Sequence, residues 1–157
     1  MAKSTNTCNS LLALIFNATT FANIAINASV APLTNLYVSL HKTDPGVGGS
    51  QLTGEADYGA YGRIAVPRDN TATGWKTPAS GSTDNNGLLS FTECSGGSNS
   101  IGYVAIGTDE TGAGRVLYAG ALSSPRTISE GIQPQFSQHA LTVTETVRVW
   151  PHCSGPL

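Results

Sequence analysis

Residues 35–46, NLYVSLHKTDPG, commit this chain to a pleated strand that runs into a tight turn. Leu36, Val38 and Leu40 fall on one face of such a strand, and Tyr37, Ser39 and His41 on the other, because successive strand side chains point to opposite sides. Proline fixes its own φ and pushes the preceding residue out of helical geometry, while glycine accepts positive φ. Asp44-Pro45-Gly46 therefore stops the strand in a turn. The residues before this strand read as an approach to it, and those after it as further strands packing around it.

A glycine-rich loop comes next, residues 44–61. Unstructured loops longer than about 12–15 residues are usually binding loops or segments ordered by a partner, so this one is expected to make a contact. Strands are expected over residues 62–66, stopped by Pro67, and around Trp75. Asn86-Gly87 signals a hairpin into a strand over residues 88–92. Residues 100–108 and 115–122 form two stronger strands, joined as an antiparallel hairpin through Asp109-Glu110-Thr111-Gly112-Ala113-Gly114. The clearest alternation is LTVTETVRVW, residues 141–150. Leu141, Val143, Val147 and Val149 share one face of it, and Thr142, Thr144, Thr146, Arg148 and Trp150 the other. Glu145 is the misfit, expected beyond the core edge or paired with Arg63 or Arg148.

About seven or eight short strands with turn signals between them, and no helical periodicity after residue 20, predict an all-β fold. The expected form is an antiparallel β-sandwich, with a jelly roll as one arrangement. The domain reading is an N-terminal arm with a short helix (1–33), a β-sandwich domain (34–150) and a C-terminal tail (151–157) bearing two prolines and a glycine. The helix is expected over about residues 7–17, with Leu11, Leu12, Ile15 and Phe16 along one stripe. It would cap an open end of the β core or dock on a neighbouring subunit.

The apolar patches LLALIF and FANIAI are each far short of the about 20 residues a membrane span needs. Lys3 and Ala28-Ser29-Val30-Ala31 have the outline of a signal peptide, but the apolar run is below the roughly 7–15 residues such a segment needs. Asn17-Ala18-Thr19 and Asn27-Ala28-Ser29 match the N-glycosylation pattern, as expected by chance in a chain rich in Asn, Ser and Thr.

At 157 residues the chain is one domain with one core. Only 11% of residues are charged, against about 25% in an ordinary soluble domain. Such a balance suits strands, turns and a surface that meets other protein. The net charge of −2 and pI near 5.8 provide no basic field, so neither nucleic acid nor an anionic membrane is an expected partner. Cys8, Cys94 and Cys153 show no metal or redox spacing and read as thiols, with a Cys94–Cys153 bridge left open.

No catalytic constellation can be assembled. His41, His139 and His152 lack ligand partners at metal spacing, and His152-Cys153 would point to opposite faces of a strand. Asp109, Glu110 and Thr111 could offer oxygens to calcium, but the spacing fits a solvated turn better. Glu55 and Asp57, two apart, have no general-acid partner, and no nucleophile elbow, P-loop or dinucleotide fingerprint occurs. No enzyme activity, cofactor or metal is expected. Tyr37, Tyr58, Tyr61, Trp75, Tyr103, Tyr118 and Trp150 could stack on sugars, but in a β-sandwich such rings more often fill the core or an interface.

NLYVSLHKTDPG also resembles the LYV-x-L-H-T-x-DPG opening of a family of small structural proteins of tailed bacteriophages, labelled tail-fibre or head-decoration proteins. The similarity continues through GGSQLTGEADYGAYGRIAVPR, Trp75, LLSFTECSGGS, GYVAIGTDETGAGRVLYAGAL and the final PQF and LTVTE, roughly two-thirds of the chain. The segment 20–33 and the tail after Glu145 extend beyond the family pattern. The resemblance implies a virion component, assembled in the host cytoplasm, with no catalytic residues. With no trimeric shaft or repeat in the sequence, a capsid decoration or cement protein contacting the major capsid protein is the expected role. A tail-fibre or baseplate component contributing to host attachment is the alternative, and a carbohydrate-binding module a further one. Expected partners are other virion proteins and copies of the same chain, a trimer being one form. The candidate protein-contact residues are Leu11, Leu12, Ile15, Phe16, Phe21, Ile24, Ile26, Val47, Tyr58, Tyr61 and Trp150.

Overall fold

The computed structural model describes residues 3–26 and 32–145. It opens with α1 (Thr5–Phe16). Ser4 caps this helix in extended geometry, its Oγ accepting the Thr7 N–H at 3.2 Å, which satisfies one of the orphan donors of the first turn. At the other end Ala18 takes φ 51° and the Thr19 N–H returns to the Ala13 carbonyl at 3.0 Å, closing the helix with a left-handed residue. Arg68 completes the cap from far away in sequence. Its Nη2 and Nε donate to the Leu14 and Ile15 carbonyls at 2.7 and 2.6 Å, and its Nη1 to the Leu33 carbonyl at 2.6 Å. A cation there both pairs the free carbonyls and opposes the negative end of the helix dipole.

Among the described residues eight strands come after the helix: β1 (Asn35–His41), β2 (Ile64–Pro67), β3 (Ser82–Asp84), β4 (Leu89–Ser90), β5 (Ser98–Gly107), β6 (Val116–Ser129), β7 (Gln135–Phe136) and β8 (Thr142–Thr144). All pairings are antiparallel. β2-β1-β5-β6 make one sheet, in that order, and β3-β8 and β4-β7 make two ribbons. Val38 sits opposite both Ile64 and Ile106, and Leu40 opposite Val104. Leu36, Val38 and Leu40 thus build the core face of the sheet with Val66, Val104 and Ile106. Leu89, Phe91, Leu141 and Val143 from the ribbons and their flanks, and Leu12, Phe16 and Trp75, join the same buried cluster.

The expected all-β antiparallel character and the short N-terminal helix are both present. The described strands make one sheet and two ribbons and do not show a jelly roll, which has about eight strands in two Greek-key sheets. Asn86-Gly87 does not turn a hairpin, because β3 pairs with β8 and β4 with β7. Asn85 overrides the local signal. Fully buried, it donates through Nδ2 to the Gly87 and Ser137 carbonyls at 2.6 and 2.9 Å and accepts the Leu141 N–H at 2.8 Å, tying the turn to a distant segment.

The expected β5–β6 hairpin forms, but β6 runs past residue 122 to Ser129 and carries Pro125 within it. Proline is tolerated because β6 is the sheet's edge and the ladder is irregular there, Tyr103 facing Ala121 and Ile101 facing Arg126. The alternation expected over residues 141–150 is visible as far as buried Leu141 and Val143; residues 146–150, and the tail, lie outside the described residues. Glu145 pairs with Lys3 and accepts the Tyr118 hydroxyl at 2.9 Å; of the two arginines expected to meet it, Arg63 is held by Glu55 and Arg148 lies outside the described residues.

Candidate functional site

The loop after β1 folds back over the second face of that strand. Ser39 and His41, which a two-layered strand would leave wet, are fully buried together with Gln51. The Thr53 carbonyl can only accept, so His41 Nδ1–H donates to it at 2.9 Å and Nε2 takes the Ser39 hydroxyl at 2.8 Å. Burial pushes the His41 pKa below its ordinary 6.5, against the opposing bond from Thr53. Serine, imidazole and a group that orients it are thus in hydrogen-bond sequence, which is the geometry of an activated nucleophile. Chemistry needs a substrate, however, and both side chains have no exposed surface. The dyad holds the loop on the sheet.

Gln51 completes the seal. Its Oε1 accepts the Asp109 N–H at 2.9 Å, and its backbone N–H donates to the Gly114 carbonyl at 2.9 Å. A Cβ on Gly107 would stand 2.6 Å from Gln51 Cγ, so only glycine leaves room for this side chain.

Arg63 locks the same assembly from the side. Nε and Nη2 grip Glu55 Oε1 and Oε2 at 2.6 and 2.7 Å, and Nη1 and Nη2 donate to the Asp109 and Gly112 carbonyls at 2.8 Å each. Two of the oxygens a cation would need in the Asp109–Gly112 turn already serve a guanidinium. Among the described residues no three His, Cys, Asp or Glu side chains cluster closely enough to hold a metal. Glu55 and Asp57 do not act as a carboxylate pair: Asp57 turns to Lys42 at 2.9 Å and to Asn99 Nδ2 at 2.8 Å, and those bonds hold its pKa below the usual carboxylate value. Cys94 is a buried thiol whose Sγ donates to the Gly96 carbonyl at 3.3 Å; Cys153 lies outside the described residues.

The candidate contact residues separate into two groups. Leu12, Phe16 and Tyr58 are buried in the protomer's own core, and Ile15 and Tyr61 are packed against it. Phe16 meets Trp75 edge-on at 4.7 Å and lies 5.6 Å from Tyr118, while Tyr61 donates to Glu55 and accepts the Leu40 N–H at 3.0 Å. Leu12, Phe16 and Tyr58 are therefore turned into the protomer's own core, which the helix caps. Leu11 and Phe21 are half-buried. Ile24, Ile26 and Val47 remain at 73, 68 and 111% exposure, with Leu33, Leu52, Leu88 and Ile132 as further exposed apolar groups that patterning missed. Trp150 lies outside the described residues. The long loop is mostly pinned down; its free part is the tip around Val47, where Gly46 and Gly48 adopt φ of 68 and 99°.

Among the described residues, buried polar clamps seal the β core over the Ser39–His41 dyad, and apolar side chains at Ile24, Ile26 and Val47 turn outward. The chain belongs to the family described as podophage GP4 fiber I protein gp80, whose profile matches residues 2–144. It is accordingly a structural component of a phage virion and not an enzyme. That family is a fibre family, and it favours the tail-fibre alternative over the capsid-decoration role expected from the absence of a shaft. A fibre can be assembled from compact subunits, so a missing shaft repeat in one chain does not exclude it. No curated protein matches the chain. No described helix is long and apolar enough to cross a membrane.

Proposed function

We propose that the protein is a subunit of the podophage tail fibre, contributing to host attachment by building and orienting the fibre through contacts with neighbouring tail proteins and with copies of itself. The observation that carries this reading is the extent of the family match, residues 2–144, which takes in the helix, the sheet and both ribbons. The architecture supports it. Arg63, Arg68 and Asn85 each tie segments distant in sequence, which suits a rigid module that must transmit position. The exposed Ile24, Ile26 and Val47 are the surfaces through which such a module would join its neighbours.

Gold-labelled antibody on intact virions, together with quantitative mass spectrometry, tests the proposal. Label at the tail and a copy number far below that of the major capsid protein are expected. Label over the head at a copy number matching the capsid protein would return the protein to a decoration role. Binding of the isolated protein on a glycan array would add direct receptor recognition to the fibre role.

A further inference from the structure

The tip of the loop after β1 is a narrow apolar point. Asp44 closes it at one end, its Oδ1 accepting the Gly46 N–H at 2.9 Å. At the other end Gly49 lies so close to the Pro45 carbonyl that a Cβ would collide with it. Val47 stands fully exposed between Gly46 and Gly48, and a Cβ on either glycine would meet nothing within 4 Å. The tip is therefore one side chain wide. Asp44 is the only charged residue from position 44 to 49.

A hollow that suits such a tip lies elsewhere on the molecule. Of about 680 Å³, it has Val104 and Ile106 at its base, Tyr118 and Leu122 along β6, and Val143 opposite. Gly120 opens it. This residue sits opposite Val104 in the β5–β6 ladder, where paired residues share a face, and a Cβ on it would meet nothing within 4 Å. The volume falls within the roughly 300–1,000 Å³ of clefts that hold a ligand, and covering apolar surface of this kind is favourable. Among the described residues that line the hollow, Arg126 alone is charged. Its sign is opposite to that of the tip.

Tip and hollow stand on opposite faces of the sheet. The tip shares a separate space of about 640 Å³ with Leu117 and Ala119, and these alternate along β6 with Tyr118 and Gly120. Arg115 also lines that space, on the approach to β6 and not on the tip. We propose that Val47 of one copy of the chain seats in the hollow over Gly120 of the next, with Asp44 meeting Arg126. Because the two surfaces differ, the contact is heterologous and repeats head to tail, the geometry that builds rings and filaments. It supplies the surfaces for the self-contact in the proposed function, and it rests on that reading for its place in the virion.

Sedimentation velocity on the purified full chain over a range of concentrations tests this. The parent is expected to form species larger than a dimer as concentration rises. Val47→Asp spoils the tip, while Gly120→Phe fills the hollow and Arg126→Glu reverses its charge. Each should weaken association on the order of tenfold or more. Val47→Asp mixed with Gly120→Phe should give a one-to-one pair, since the first keeps its hollow and the second its tip. Should Gly120→Phe fail to fold, Arg126→Glu takes its place in the mixture. A monomeric parent, a parent that stops at a dimer, variants that associate like the parent, or a mixture without the pair would overturn the proposal. Such a failure would leave the tail location standing, and antibody label over the head would leave this contact standing.

Discussion

Arg63 and Glu55 form a two-pronged ion pair at 2.6 and 2.7 Å whose side chains are only 3 and 12% exposed, and the same guanidinium holds the carbonyls of the β5–β6 turn. Removing one partner of a buried pair leaves the other charge without compensation. Arg63→Ala is therefore expected to cost about 3–5 kcal/mol, read as a lowered urea midpoint. Arg63→Lys should recover only part of this, since an ammonium cannot reproduce the planar fork. A change within the experimental error of the parent would refute the clamp.

His41 makes stability depend on pH in a defined direction. Its folded pKa lies below 6.5 because burial disfavours the cation. The unfolded chain thus binds more protons just below pH 6.5, and stability falls as pH falls from 6.5 through the folded value. The slope contributed approaches about 1.4 kcal/mol per pH unit at most. His41→Asn is expected to lower stability at pH 7 but to flatten this limb, as measured by denaturant titrations at several pH values. A limb of unchanged slope in the variant would assign the effect to other groups.

Glu145 acts lower on the scale. The hydrogen bond from Lys3, and then that from Tyr118, hold its pKa below the ordinary 4.5, so its contribution is present above pH 4.5 and is lost as pH falls through the folded value. Glu145→Gln should make the acid limb shallower. Tyr118→Phe should cost about 1.5 kcal/mol, the worth of a hydrogen bond to a charged group, and should weaken the same limb.

Phe16 tests whether α1 is an arm or part of the core. Fully buried against Trp75 and Tyr118, it should cost about 3–5 kcal/mol when cut to alanine, with the whole thermal transition moving to lower temperature and no separate early phase. A detachable arm would instead leave the midpoint of the main transition in place.

Asn85 and Asn99 pair backbone groups outside the strand ladders. Asn99 Oδ1 accepts the Asp57 and Tyr58 N–H groups at 2.8 and 3.0 Å. Alanine at position 99 strands two backbone donors, and a loss of about 1–3 kcal/mol for each buried donor left unpaired is expected. Asn99→Asp keeps the acceptor but sets a carboxylate oxygen against that of Asp57, which the Asn99 Nδ2 meets at 2.8 Å, so it is expected to restore little of the loss at neutral pH.

Much of this protein is written locally. The faces of β1, the hairpin between β5 and β6 and the helix near the N-terminus all derive from alternation and turn chemistry, which act over a few residues. Local pattern leaves open which distant groups meet. Glu145 finds Lys3 and Tyr118, while Arg63 is taken by Glu55. Asn86-Gly87, a hairpin signal in isolation, yields to the bonds that Asn85 makes with Ser137 and Leu141. The loop that length alone marks as a contact arm is drawn onto β1, because Ser39, His41 and the Oε1 of Gln51 find hydrogen-bond partners there, among them Thr53 and Asp109, once buried. Burial decides such pairings: a polar group removed from water must find a partner wherever the fold places one. The pattern along the chain determines which residues turn inward, and only the tertiary structure determines what they meet there.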